Sequence, residues 1–106
     1  MGLDVLRRSH LTLLVLGLIK QQPMHGYGIC KAVRERSDNR IINELRHGSL
    51  YPLLHQLEEQ GFIEGYEVPN PRGHNRRLYK LTDRGEQVFQ EELAVFKQIG
   101  RIIGVT

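Results

Sequence analysis

The stretch GSLYPLLHQLEEQGFIEGYEV, at residues 48–68, changes its hydrophobic period once along its length. Its first half carries a leucine stripe at helical spacing, which predicts a helix over residues 50–60. Gly61 follows in the position typical of a helix C-cap glycine. Over residues 62–68 apolar and polar residues alternate, which is typical of a β-strand. The stretch therefore predicts a helix that leads directly into a strand.

Further helices are predicted on both sides of this stretch. A first helix is expected over residues 9–20, with Ser9 as N-cap, and it is apolar on nearly every side and therefore buried. Pro23 ends it, and a second helix is expected over residues 25–36. A last helix is expected after Thr82, which is a favourable N-cap with Glu86 in the first turn.

A second strand over residues 76–82 is predicted to pair with the first as a β-hairpin, because the segment PNPRGHN between them is rich in turn residues. Ahead of the helix at residues 50–60, Ile41, Ile42 and Leu45 supply an apolar patch. Three packed helices followed by a hairpin predict a mainly α fold with a small β-hairpin, a winged helix-turn-helix. Residues 1–82 form this predicted DNA-binding domain, and residues 83–106 form a predicted C-terminal dimerisation helix.

Composition places the chain among ordinary globular proteins. It has 106 residues, enough for one domain, and a net charge of +3 that permits an anionic partner without proving one. Its single cysteine, Cys30, excludes an intrachain disulfide and suits a reducing compartment. The longest apolar run, at residues 11–19, is too short to cross a bilayer, so neither a membrane nor a membrane partner is expected. A cytoplasmic location is predicted.

Three stretches, in order, resemble the PadR family of transcriptional regulators. PMHGYGI at residues 23–29 resembles the opening of the family's second helix, and GSLYPLLHQLEEQGFIE at residues 48–64 resembles its recognition helix and first wing strand. RRLYKLTDRGEQVF at residues 76–89 resembles the second wing strand and the start of the last helix. The resemblance implies a homodimer that binds double-stranded operator DNA, usually as a repressor. In some members a small aromatic effector releases the DNA.

The chain departs from the family pattern at two places and resembles its short branch, with one C-terminal helix. Arg46 and His47 stand where members often have Ser-Pro, and Gly28 stands where an acidic residue is common. Ser49 is then the expected cap of the recognition helix, with Pro52 in its first turn, where a missing N–H costs nothing. Both differences are expected to affect which DNA sequence the protein reads, and neither affects the predicted fold.

The predicted recognition helix carries side chains that suit DNA. Tyr51 can donate to a phosphate, His55 can donate to a phosphate or a guanine, and Gln56 can pair with adenine in the major groove. The alternatives are that Tyr51 is a half-buried aromatic that packs the corner and that His55 is simply solvated. At the wing, an arginine-rich tip can enter a minor groove, whereas the alternative is a solubilising hairpin with charged edges. The predicted DNA contacts are Arg46, His47, Ser49, Tyr51, Pro52, His55, Gln56, Arg72, His74, Asn75, Arg76 and Arg77.

The last helix has an apolar stripe for which no partner is expected within the chain, since the hairpin already covers the three-helix core. A two-fold dimer is therefore predicted, with the apolar first helix as the second wall. The alternative is a helix that folds back onto its own domain. The predicted interface residues are Leu11, Leu14, Phe89, Leu93, Phe96, Ile99 and Ile103.

Other functions find little support in the sequence. His25 is expected at a helix start and Tyr27 is expected to pack inward, so neither is a favoured ligand-binding residue. No pair of histidines has metal-ligand spacing, and no catalytic motif is present, so no cofactor, metal or enzyme activity is predicted. A winged-helix module that binds proteins instead of DNA remains the alternative function, against which the basic wing tip argues.

Overall fold

The computed structural model describes residues 2–37 and 50–105, with side chains described from His10 onward. The predicted apolar patch at residues 41–45 lies outside the described residues. The described part forms four helices and one hairpin. The elements are α1 (Gly2–Gln21), α2 (Gly26–Arg36), α3 (Leu50–Glu59), β1 (Ile63–Val68), β2 (Arg76–Leu81) and α4 (Asp83–Ile102).

The predicted order of helices and hairpin is confirmed, with one clear difference in a boundary. Helix α1 begins at Gly2, so the predicted start at Ser9 is wrong. The preceding residues LDVLRR are mostly good helix formers and contain no helix breaker, so the helix continues through Ser9. The N-cap preference of a serine fixes a helix start only where the residues before it favour another conformation.

The core lies where α1, α2, α3 and the hairpin meet. Helix α1 is buried through its middle, as its apolar character predicts, and all four leucines of the α3 stripe are buried. Each fully buried aliphatic side chain contributes about 1.5–3 kcal/mol relative to its exposed state. The largest fully buried side chains are Val15, Leu16, Ile29, Leu50, Leu54 and Ile63.

Helix α3 ends in a turn that sends the chain into β1. Gly61 has φ 79°, the left-handed conformation that glycine adopts without strain. The Gly61 N–H donates to the Glu58 carbonyl and the Phe62 N–H donates to the Leu57 carbonyl, both at 3.0 Å. These two bonds form a Schellman motif, so the predicted C-cap role of Gly61 is confirmed.

The hairpin is antiparallel, with its register running from the Ile63–Leu81 pair to the Val68–Arg76 pair. A short bridge pairs Met24, just before α2, with Tyr79 of β2. The Tyr79 N–H donates to the Met24 carbonyl at 2.8 Å, and the Met24 N–H donates back at 3.2 Å. The start of α2 is therefore held beside the second wing strand.

Helix α4 begins directly after Thr82, which acts as the predicted N-cap. The Thr82 hydroxyl accepts from the Gly85 N–H at 3.0 Å and donates to the Gly61 carbonyl at 2.6 Å. Gly85 lies against the backbone carbonyl of Phe62, where a Cβ atom would collide with it. The α3–β1 turn and the start of α4 thus form one tightly packed corner.

The first half of α4 packs against α1 of the same chain. Phe89 lies over Gly17, whose added Cβ would come within 3.0 Å of the ring. The Lys20 ammonium group lies 2.6 Å from the Glu86 carboxylate, and this hydrogen bond lowers the pKa of Glu86, with a smaller contribution from Gln90. The expectation that the whole stripe lacks an intrachain partner is therefore wrong for its first half. The hairpin leaves α1 partly open, and α4 covers that surface.

The second half of α4 and the residues after it leave apolar side chains exposed. Each of these side chains is more than half exposed in the isolated chain. The set, here named the C-terminal apolar surface, consists of Val95, Phe96, Ile99, Ile102, Ile103 and Val105. Within the described residues, no helix combines the length and apolar character that crossing a membrane requires.

Candidate nucleic-acid interface

Helix α3 presents a polar side to solvent. Leu50 is buried at its start, whereas Tyr51 and Pro52 are exposed. The Tyr51 ring is 66% exposed, yet it also lies over Gly26 of α2, where an added Cβ would come within 2.8 Å of it. Tyr51 therefore packs the corner with one edge of its ring and leaves most of its side chain accessible. The predicted contacts Arg46, His47 and Ser49 lie outside the described residues.

His55 and Gln56 lie one turn further along α3. His55 is exposed, and its Nε2 atom lies 2.8 Å from the Glu59 carboxylate, one helical turn away. An exposed pair of this kind contributes little to stability, so His55 can exchange its partner at small cost. Gln56 is half-buried. The ion pair with Glu59 leaves the His55 side chain exposed. The DNA contacts of His55 and Gln56 stay predictions.

The wing tip is exposed and shaped by a turn at Asn70. The Asn70 side-chain oxygen accepts from the Arg72 N–H at 3.2 Å, and its carbonyl accepts from the Gly73 N–H at 3.2 Å. Asn75 donates weakly to Glu67 across the hairpin at 3.4 Å. The side chains of Arg72 and His74 are exposed on this tip. An anionic partner could therefore reach them without any change in the hairpin.

Arg77 is held by an ion pair with α3. Its Nη2 atom donates to Glu58 Oε2 at 2.7 Å, and the same oxygen accepts from the Gly65 N–H at 3.0 Å. The guanidinium group also lies 5.8 Å from the centre of the Tyr79 ring. The hydrogen bond and charge of Glu58 raise the pKa of Arg77. Glu58 thus links α3 to both wing strands, a role that the isolated residue types do not reveal.

Arg76 points to a different element from Arg77, as expected for neighbouring residues of a strand. Its Nη1 atom lies 3.4 Å from Nε2 of His25, at the start of α2. His25 is the N-cap of α2, since its Nδ1 atom accepts from the Gly28 N–H at 2.7 Å. The predicted place of His25 at a helix start is therefore confirmed.

Tyr27 is 63% exposed, so the prediction that it packs inward is wrong. The buried face of α2 carries Gly26, Ile29 and Val33, at the spacing of one helical stripe. Tyr27 lies one residue beyond this stripe and shares its side of the helix with exposed Lys31. The Gly26–Ile29–Val33 spacing was the sequence signal for this placement, but a glycine is easily overlooked as a buried position.

These elements enclose an open cleft of about 290 Å³ between α2, α3 and β2. Two predicted contacts on the wing and one on α3 meet there, together with three residues at the start of α2 that were not predicted to take part. Its lining residues are His25, Gly26, Tyr27, Tyr51, Arg76, Arg77 and Tyr79. None of these is acidic, and four of the side chains carry N–H or O–H groups that can donate, those of His25, Tyr27, Tyr51 and Arg76. The cleft suits an anion.

The predicted dimer residues fall into two groups. Leu11 is buried in the core of its own chain, and Leu14, Phe89 and Leu93 are half-buried. Phe96, Ile99 and Ile103 belong to the C-terminal apolar surface. The second group is accessible to a second copy, while the first is already largely covered by the chain itself.

Metal chemistry finds no support in the described ranges 2–37 and 50–105, where no three His, Cys, Asp or Glu side chains cluster as metal ligands. Cys30 is half-buried against the core.

Comparison with known proteins matches the chain to transcriptional regulators. The model of the PadR-like family of transcriptional regulators matches residues 15–91. The negative transcriptional regulator PadR of Bacillus subtilis is 28% identical over 79 residues, which are 74% of this chain and 42% of that protein. The chain thus spans less than half the length of that relative.

Solved structures with the same fold include a Streptococcus transcriptional regulator. It has a TM-score of 0.79 and 27% identity, and the match covers 93% of each chain. The Bacillus subtilis PadR in complex with operator DNA has a TM-score of 0.65 and 27% identity, over 78% of this chain and 46% of that one.

Proposed function

Because the chain belongs to the PadR-like family of transcriptional regulators, we propose that it is a sequence-specific DNA-binding protein that acts as a homodimeric repressor in the cytoplasm. The observation that carries this proposal is the convergence of Tyr51 from α3 and Arg76 from the wing on one open cleft. In a winged helix-turn-helix these two elements approach the major groove and the backbone beside it. Their exposed donors are suited to phosphates and base edges.

A relative in complex with operator DNA supports the choice of DNA as the partner. The repressor role is supported by a relative whose name describes negative regulation. Release by a small aromatic effector is proposed only on the family resemblance. The homodimer is supported by the C-terminal apolar surface, because exposed apolar side chains on a small domain favour association with a second copy.

The test is a gel-shift titration of the double variant Tyr51→Ala, Arg76→Ala against duplexes selected from a random pool. Both side chains are exposed, so the variant is expected to fold normally and to bind about tenfold or more weakly. Affinity of the wild-type protein should also fall steeply with salt, since binding releases counterions from DNA.

Two outcomes count against the proposal in different ways. Unchanged affinity of the double variant would remove these two side chains from the interface. Absence of any binding of the wild type to duplex DNA at micromolar protein and low salt would favour the protein-interaction module instead.

A further inference from the structure

We propose that the cleft between α2 and the wing binds one phosphate of the DNA backbone, with His25 and Arg76 as a pair of donors. This inference rests on the proposed function and adds a contact from α2 to those expected from α3 and the wing. Tyr27 and Tyr51 line the same cleft and supply hydroxyl donors. The ligand is a phosphodiester oxygen, which accepts from all three kinds of side chain.

The proton position on His25 follows from its capping bond. Its Nδ1 atom accepts from the Gly28 N–H at 2.7 Å, so Nδ1 carries no proton. A neutral imidazole then carries its proton on Nε2, which makes that atom a donor. Nε2 lies 3.4 Å from Arg76 Nη1, which can only donate. Two donors at this distance cannot bond to each other, and one oxyanion lying beside both atoms can accept from each.

The cleft is held in shape by contacts that do not depend on a ligand. The Met24–Tyr79 bridge fixes the start of α2 against β2. Gly28 leaves room for the His25 ring, because an added Cβ would lie 3.1 Å from Nδ1. Gly26 leaves room for the Tyr51 ring in the same way, at 2.8 Å. A site whose donors are already positioned loses less conformational entropy on binding.

The position of the cleft favours DNA over a free anion. Tyr27 and Tyr51 are 63% and 66% exposed, so a bound phosphate would remain open to solvent on one side. Binding sites for small molecules usually bury most of their ligand. A DNA phosphate needs no such enclosure, because its affinity comes from many contacts along the duplex. The cleft also lies between α3 and the wing, where a duplex on the recognition helix brings its backbone.

Two variants remove single donors with little effect on the fold. In His25→Asn the shorter side chain can still cap α2, since asparagine is a favoured N-cap, but it lacks the Nε2 donor. Tyr27→Phe removes only an exposed hydroxyl group. Tyr66→Phe, at the exposed Tyr66 of β1 outside the cleft, is the matched control. Thermal unfolding should show that all three variants retain the wild-type fold.

The measurement is the affinity of each variant for a duplex selected by the wild type from a random pool. His25→Asn is expected to bind about five- to tenfold more weakly, Tyr27→Phe about threefold more weakly, and Tyr66→Phe like the wild type. A series of duplexes with one neutral methylphosphonate each locates the phosphate. At one position the methylphosphonate should weaken DNA binding by the wild type but not by His25→Asn. The two losses are not additive there, because the missing donor and the missing charge belong to the same contact.

The outcomes separate this inference from the proposed function. If the wild type binds the duplex and His25→Asn and Tyr27→Phe bind equally well, the phosphate site is overturned while the regulator stands. If the wild type binds no duplex, both are overturned. Micromolar binding of inorganic phosphate that His25→Asn abolishes without changing DNA affinity would assign the cleft to a free anion and overturn the DNA contact.

Discussion

Gly85 occupies the corner where α4 leaves the wing, against the carbonyl group of Phe62. Alanine in a helix is favoured over glycine by about 1 kcal/mol. At this position the added Cβ would collide with backbone, which cannot move aside as a flexible side chain can. We expect Gly85→Ala to lower the free energy of unfolding by about 2–3 kcal/mol, as measured by urea denaturation at fixed protein concentration.

Gly73 is the matched control for this change, because no atom lies within 4 Å of a Cβ added there. Gly73→Ala should change the free energy of unfolding by about 0.5 kcal/mol or less. Equal stability of the two alanine variants would mean that the corner at Gly85 is looser than described.

The positions of single residues in the site could be predicted only in part, as His25, Tyr27 and Arg77 show. The capping position of His25 follows from the local sequence, as does the exposed tip around Arg72. The meeting of His25 with Arg76 does not, because the residues are 51 positions apart and the Met24–Tyr79 pairing joins them. The same holds for the Glu58–Arg77 ion pair, which depends on how the wing lies against α3.

At the scale of elements, the Glu58–Arg77 pair connects α3 to the wing. If Arg77 serves this connection, Arg77→Ala and Glu58→Gln should both weaken DNA binding modestly, by about two- to threefold, and leave its salt dependence unchanged. Arg76→Ala should instead reduce the slope of log affinity against log salt by about 0.9, the value for one lost phosphate contact. Fluorescence anisotropy over a salt series measures both quantities.

If Arg77 instead contacts DNA directly, as the sequence predicts, the salt series gives a different result. A slope reduced by Arg77→Ala as much as by Arg76→Ala would mean that Arg77 leaves Glu58 and binds a phosphate. If Glu58→Gln binds DNA with wild-type affinity in the same series, the Glu58 carboxylate does not position the wing for binding.

Helices α1 and α4 are joined by the Lys20–Glu86 ion pair, which gives a pH dependence. The pKa of Glu86 is lowered from its ordinary value of 4.5, chiefly by the hydrogen bond from Lys20. A carboxylate with a lowered pKa stabilises the folded state fully above that ordinary value, and the contribution disappears as the pH falls through the lowered value. We therefore expect wild type and Lys20→Met to differ in stability at neutral pH and to converge in acid.

Chemical denaturation at several pH values between neutral and about 3 follows this convergence. Both side chains are considerably exposed, at 43% and 40%, so the difference at neutral pH should be small. The variant Lys97→Met, at an exposed position on α4, is the control for loss of a lysine charge. If the difference in free energy of unfolding between wild type and Lys20→Met widens as the pH falls, the Lys20–Glu86 pair is not its cause.

The elements themselves were largely predictable because their periodicity is local. Leucine spacing defines α3, Gly61 its end, and Thr82 the start of α4. The division of the α4 stripe was not predictable, since it depends on the direction that α4 takes from the packed corner at Gly85. Phe89 meets Gly17 of α1 as a consequence, whereas Phe96 lies beyond the end of that contact.

At the scale of the whole molecule, the prediction of a winged-helix transcriptional regulator and not an enzyme is confirmed by the family match over residues 15–91. The fold could be recognised because three separate stretches each carry part of it in order. The dimer is supported by the C-terminal apolar surface, and an apolar surface alone does not identify the partner that covers it. The dimer therefore needs its own test.

The C-terminal apolar surface provides that test. Phe96 is 59% exposed, so Phe96→Glu should leave the fold of the single chain intact while placing a charge in the proposed dimer interface. We expect the variant to sediment as a monomer where the wild type is a dimer. It should also bind a pseudo-palindromic duplex about a hundredfold or more weakly, because the recognition helices are no longer linked at a spacing of about 34 Å.

The matched control is Gln98→Glu, which adds the same charge at an exposed position of the same helix. It should remain dimeric, since position 98 lies at the edge of the C-terminal apolar surface, beside Val95 and Ile102, and not within it. A monomeric wild type that binds DNA as tightly as Phe96→Glu would exclude this surface from the functional assembly. A dimer that survives Phe96→Glu would place the interface elsewhere on the chain, and the half-site spacing of the selected duplex would then be set by a different pair of helices.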